Sequence, residues 1–232
     1  ATRLLSTRVA LGVALIFAAH PLHVEAVALA VAQNELVVAF LAAAVTARYV
    51  QRRRAGGLTG LDWALVVGGF AVASLFKEHG LILPGFLVIA EVVLMEDESW
   101  RRRLGKLWGG YAALAGVAIA VVVTRTAVLG GRLEASFVAE ALAGQSMGGR
   151  VLTMLGVVPE WLRLFAWPTH LRAEYSPAEF VAATGFGARQ AIGLAIVTAA
   201  VAFAVWARRR APVLAFAILW TGLACGPVCN VG

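Results

Sequence analysis

Long apolar runs closed at one end by arginines constrain this chain more than any other feature. Residues 111–123 and 191–207 are almost free of polar side chains. A soluble helix shows a polar face every turn or two, whereas stretches of about 20 apolar residues read as membrane spans. Composition agrees, at 61% hydrophobic and 14% charged, against roughly 45–50% and 25% in ordinary globular domains. The expectation is an all-α, polytopic membrane helical bundle forming one domain over residues 1–232.

The formal charge of +7 would suit a nucleic-acid partner if it were spread over a soluble face. Here the arginines gather at the ends of apolar runs, the pattern of cytoplasmic loops, so nucleic acid is excluded as a partner. Three clusters set the orientation: Arg48 with Arg52, Arg53 and Arg54; Arg101, Arg102 and Arg103 with Lys106; and Arg208, Arg209 and Arg210. With all three on the cytoplasmic side, spans are expected at 4–19, 34–50, 61–76, 81–95, 107–130, 188–207 and 213–225. Residues 147–167 are apolar enough to cross, but a crossing there would put Arg208–Arg210 outside. Their polar stripe of Arg150, Thr153, Gly156, Glu160 and Arg163, with Trp161, Phe165 and Trp167, suits an outer-face interfacial or re-entrant helix kinked at Pro159. Seven crossings are expected, with eight as the alternative.

Charge is costly within a bilayer, at about 2.5–3.5 kcal/mol for a residue at a helix centre. Polar groups on the outer side of this topology therefore call for a reason. His20, His23 and Glu25 lie within six residues, with Glu35 ten further on. Two imidazoles and a carboxylate this close can hold a divalent cation, position an acceptor hydroxyl or relay a proton; HxxHxE has no coordination signature of its own. Lys77-Glu78-His79 sits at the tip of a short hairpin, where Lys77 can meet phosphate and Glu78 can orient it. Arg125, Arg132 and Glu134 read as interface anchors. Arg150 and Arg163, with Arg172, Glu174 and Tyr175, form a stripe able to hold anionic lipid or the phosphate of a lipid carrier. Cys225 and Cys229 read as small packing residues. The chain starts at Ala1 without a signal peptide, and both ends look cut.

These residues fall in an order that resembles a known family. The run from Phe17 to Val27, with His20-Pro21-Leu22-His23-Val24-Glu25-Ala26-Val27 at its centre, is similar to the His-Pro-x-His-x-Glu-(Ala/Ser)-Val signature of transmembrane proteins that carry tetratricopeptide repeats. Its eukaryotic members are protein O-mannosyltransferases using dolichyl-phosphate mannose. Ala32-Gln33-Asn34-Glu35-Leu36, Lys77-Glu78-His79-Gly80, the block from Leu162-Arg163-Leu164 through Pro168 to Glu174-Tyr175-Ser176, and Trp220 with Gly226-Pro227-Val228-Cys229-Asn230 resemble further family motifs in the right order. Gln33 stands where the family has Arg.

The resemblance implies a C-type glycosyltransferase fold with an active site on the outer face. It also implies a polyprenyl-phosphate-linked sugar donor and a protein or other hydroxyl acceptor. On that reading His20, His23, Glu25 and Glu35 line the reacting side, and Lys77, Glu78, Arg150 and Arg163 the lipid-phosphate side. The family's essential acidic residue is expected in an outer loop upstream of Ala1, and the repeats downstream of Asn230. The expected location is a bacterial inner membrane, in contact with membrane lipid. The rival readings are a transporter or lipid flippase, for which Glu91 is the candidate mid-span charge, and a non-catalytic platform for a repeat domain.

Overall fold

The computed structural model describes residues 4–95, 99–130, 142, 144–169, 171 and 181–227. Among them there are nine α-helices and no strand: α1 (Thr7–Ala19), α2 (Val24–Ala28), α3 (Gln33–Arg54), α4 (Gly60–Phe76), α5 (Leu83–Leu94), α6 (Trp100–Val128), α7 (Met147–Ala166), α8 (Ala188–Ala207) and α9 (Pro212–Cys225).

Local chemistry sets the boundaries. α3 stops where Gly56 and Gly57 take φ of 113° and 137°, a region open to glycine and costly for other residues. α4 starts at a reciprocal cap, in which the Thr59 hydroxyl accepts from the Asp62 N–H and the Asp62 carboxylate accepts from the Thr59 N–H. Ser146 caps α7 by accepting from Gly149 N–H at 3.2 Å. Pro84 and Pro212 stand in the first turns of α5 and α9, where no N–H is needed.

Among the described residues, two helices are long and apolar enough to cross a membrane, over Gly105–Val128 and Ala188–Ala207. A third crossing exists if Thr7–Ala19 and Pro21–Ala28, bent by 53°, act as one broken span. α4 and α9 are apolar but shorter, and α5 has 12 residues, a rise of about 18 Å against a hydrocarbon core of about 30 Å. Helices thus stand where the seven crossings are expected, while length and composition support two or three crossings among the described residues. α7 is long enough, but Arg150, Glu160 and Arg163 interrupt its apolar surface. It runs through Pro159 as one helix and packs on α8. A Cβ at Gly193 would stand 1.8 Å from the Leu155 carbonyl oxygen, so glycine is what permits the crossing.

The core is built on α3, α4, α5, α6 and α9. Tyr49, Phe70, Leu83, Leu87 and Leu114 are its largest buried members. Trp63 lies flat against Gly110, where a Cβ would come within 2.3 Å of the indole. Its ring meets Tyr49 and Tyr111 edge-on, each at 6.0 Å. Phe86 stacks on Trp220 at 3.7 Å and joins α5 to α9.

The alternation of helices gives the bundle two chemically distinct ends. Arg53 and Arg103 both bond Glu91, and Ala207, just before Arg208, packs in one cluster with Val50, Val93 and Leu94. All three arginine clusters therefore meet at one end, where the sequence pattern expects them together. Glu35, Lys77, His79 and Phe17 meet at the other.

Candidate functional site

At the end opposite the arginines, the site begins with a glycine. α4 ends at Phe76 and Lys77 is extended, with φ −159° and ψ 148°. Residues Glu78–Ile82 then fold back as a tight 3₁₀ turn. Gly80 is buried against α4 so closely that a Cβ would stand 2.5 Å from the Ala73 carbonyl carbon. Backbone cannot yield as a side-chain tip can, so this position admits only glycine. The turn carries Lys77 and His79 to Glu35 in the first turn of α3. Lys77 Nζ donates to Glu35 Oε1, and His79 Nδ1 lies 3.3 Å from Glu35 Oε2. The three side chains are each between 24% and 34% exposed.

The expectation that Glu78 orients Lys77 is corrected here. The chain changes direction between these two residues, and Glu78 accepts from Arg125 Nη1 at 3.1 Å, near the end of α6. Glu35 orients Lys77 instead, and Arg125 serves this turn as well as the end of its helix. Burial pushes the Glu78 carboxyl up, but its own backbone N–H and the Arg125 charge outweigh that and hold it below its ordinary value.

The histidine motif divides its labour. His20 Nδ1 accepts from Leu22 N–H at 3.3 Å and caps the turn Pro21–His23. Its Nε2 therefore carries the proton and donates to the Phe165 carbonyl at 3.2 Å, near the end of α7. With both nitrogens engaged, His20 ties the Pro21–His23 turn to α7. His23 is half-buried, with its ring 4.2 Å from that of Phe17. Glu25 lies in α2, and its side chain is outside those described.

Phe17 connects this motif to the Glu35 cluster, because both line one cavity of about 470 Å³. Its walls are apolar, with Val38, Ala42, Leu83 and Phe86 among them, and Glu35 and His79 supply the polar groups. Phe17, Ala39 and Ala43 are exposed lining residues, so the cavity opens sideways along α1 and α3.

The proposed lipid-phosphate arginines do not converge. Arg163 is held by Glu160, with Nε donating at 2.9 Å, and by the Thr169 carbonyl at 3.0 Å. Arg150 lies thirteen residues earlier on α7, about 20 Å along a straight helix, too far for both to grip one phosphate. Its Nε is buried with no hydrogen-bond partner among the described residues. Arg132, Glu134, Arg172, Glu174, Tyr175 and Cys229 lie outside the described residues. Among those described, no group of three His, Cys, Asp or Glu side chains could hold a metal ion.

Two carboxylates at the basic end escaped sequence reasoning as structural groups. Asp62 accepts from Arg48 at 2.9 Å and from Arg52 at 2.8 Å. Glu91 takes Arg53 in a two-point contact at 2.6 and 3.1 Å and accepts from Tyr49 at 2.8 Å. The Thr59-x-x-Asp62 spacing was a legible cap signal; nothing local marked Glu91 as the partner of Arg53. Glu91 stands near the basic end and is neutralised, so it is no isolated mid-span charge of the kind a transport pathway would use.

Comparison with protein-family models, with curated proteins and with solved structures finds no match for this chain.

Proposed function

We propose that this protein is a membrane glycosyltransferase, crossing the bilayer seven times with the arginine end cytoplasmic. It would transfer a sugar from a polyprenyl-phosphate carrier to a hydroxyl acceptor, most simply on a protein, at the non-cytoplasmic face. One observation supports this above the rest: Glu35, Lys77 and His79 form a cationic–anionic cluster at a laterally open apolar cavity. A polyprenyl chain needs apolar walls reachable from the bilayer, and its phosphate needs a cation where the walls end.

In the reaction, the acceptor oxygen bonds the anomeric carbon as the bond from that carbon to the phosphate oxygen breaks. The leaving phosphate gains negative charge. Lys77 stabilises that charge, and His79 adds a hydrogen-bond donor on the same side. Glu35, once Lys77 turns to the phosphate, is a carboxylate able to take the acceptor proton. His23, against Phe17, lines the acceptor approach, and His20 holds α7 in place over it.

Transfer of radiolabelled sugar from a polyprenyl-phosphate donor by the purified protein in lipid nanodiscs tests the reading. Lys77→Ala is expected to lower turnover by about 10²–10³-fold, the scale of losing one transition-state charge contact. Full activity in Lys77→Ala combined with Glu35→Gln would sink the proposal.

A further inference from the structure

A second cavity lies at the basic end, of about 370 Å³, within the range of about 300–1,000 Å³ typical of small-ligand sites. Arg53 from the end of α3, with Arg103 and Lys106 from the first turns of α6, line it. No carboxylate is among its described lining residues. Trp63, Leu58 and Met95 give it an apolar floor, and Gly56 and Gly57 form a rim without side chains. Both glycines take φ values that other residues rarely adopt.

The cations are positioned rather than loose. Glu91 fixes Arg53 through Nε and Nη2, while Arg103, only 7% exposed, donates from Nη1 to the Glu91 backbone carbonyl at 2.6 Å. A carbonyl oxygen satisfies a hydrogen bond without cancelling a charge, so Arg103 brings a buried positive charge to the cavity wall. Guanidinium groups held in fixed orientation match the paired oxygens of a phosphate group.

We propose that this cavity binds a phosphate-bearing anion at the arginine end of the bundle. It is separate from the transferase site and independent of that reading. The same chemistry would accept the head group of an anionic phospholipid or a free phosphate compound.

Two probes separate the sources: nanodiscs containing phosphatidylglycerol against phosphatidylcholine alone, and inorganic pyrophosphate added to the detergent-purified protein. Native mass spectrometry counts retained phosphatidylglycerol, and thermal unfolding follows pyrophosphate. Retained lipid that pyrophosphate does not displace assigns a head group; saturable stabilisation by pyrophosphate assigns a free anion; each supports the site. Lys106→Gln, at an exposed position, and Arg103→Gln should each weaken the bound probe roughly tenfold to a hundredfold, the loss of one charged hydrogen bond. Arg208→Gln with Arg209→Gln removes charge from the same face outside the cavity and should leave binding unchanged. The proposal is overturned if neither probe binds. It is equally overturned if the Arg208/Arg209 variant loses as much as Lys106→Gln, which would mean a diffuse surface field.

Discussion

At the arginine end of the bundle, Asp62 and Glu91 are almost wholly enclosed, with 0% and 2% of their surface exposed, and arginines or hydroxyls meet them from several sides. At the other end, Glu35 and Glu78 are 34% and 43% exposed at the side chain. Each has one strong cationic partner, Lys77 or Arg125. The two ends thus use the same residue types for different purposes. An enclosed pair cannot be opened without stranding a charge away from water, so it fixes helix positions. A partly exposed pair is worth little, about 0–1 kcal/mol, so its lysine can exchange the carboxylate for another anion at small cost.

The largest expected effect tests the enclosed half of this contrast. Glu91→Ala leaves Arg53 and the Tyr49 hydroxyl without their carboxylate and should cost about 3–5 kcal/mol, read as loss of folded protein in a denaturant titration in detergent. A loss no greater than that of an exposed pair would erase the distinction between the ends.

Gly80→Ala comes next. It forces Cβ into the Ala73 backbone and should cost about 1–3 kcal/mol, as overpacking does. It should also separate Lys77 from Glu35, which a cysteine crosslink between positions 35 and 77 would detect. Unchanged crosslinking in the alanine variant would mean that the turn does not depend on this close approach.

Glu35→Gln should shift stability by no more than about 1 kcal/mol, while, on the proposed reaction, sugar transfer falls by about 10²-fold or more through loss of the proton acceptor. A stability loss as large as that of Glu91→Ala would assign Glu35 to the scaffold and make the two ends alike.

The smallest effect concerns pH. Because the folded protein holds the Glu78 carboxyl low, its pair with Arg125 is fully formed above the ordinary glutamate value of about 4.3. It persists through that value and is lost only as pH falls through the lower folded one. Glu78→Gln should therefore flatten the acid limb of a stability–pH curve by well under 1 kcal/mol, in keeping with an exposed pair of about 0.2–1 kcal/mol. An unchanged acid limb would leave the Arg125 contact without energetic weight.

Much of the fold was legible because the signals are local. The spans expected at 188–207 and 213–225 coincide with α8 and α9 to within a residue, since apolar runs, arginines and Pro212 mark them directly. Gly80 was legible as part of Lys77-Glu78-His79-Gly80, though not the backbone contact that requires it. Glu78 was misassigned because adjacency in the chain suggested a pairing that a change of direction at Lys77 undoes. Arg150 and Arg163 were grouped by helical periodicity, which places residues on one face but says nothing of the distance between them.

The sequence by itself determined that the chain is helical and membrane-suited, and that its three basic clusters belong together. Hydrophobic periodicity and charge placement are properties of short windows, so no partner is needed to read them. Only the tertiary structure decided that Glu35 takes Lys77 across 42 residues and Glu91 takes Arg53 across 38. Such pairings depend on which helices become neighbours, and several equally basic or acidic residues satisfy the same local rules. The close approach of Gly80 to α4 selected Lys77 for Glu35, because contact at van der Waals distance is specific where charge alone is not.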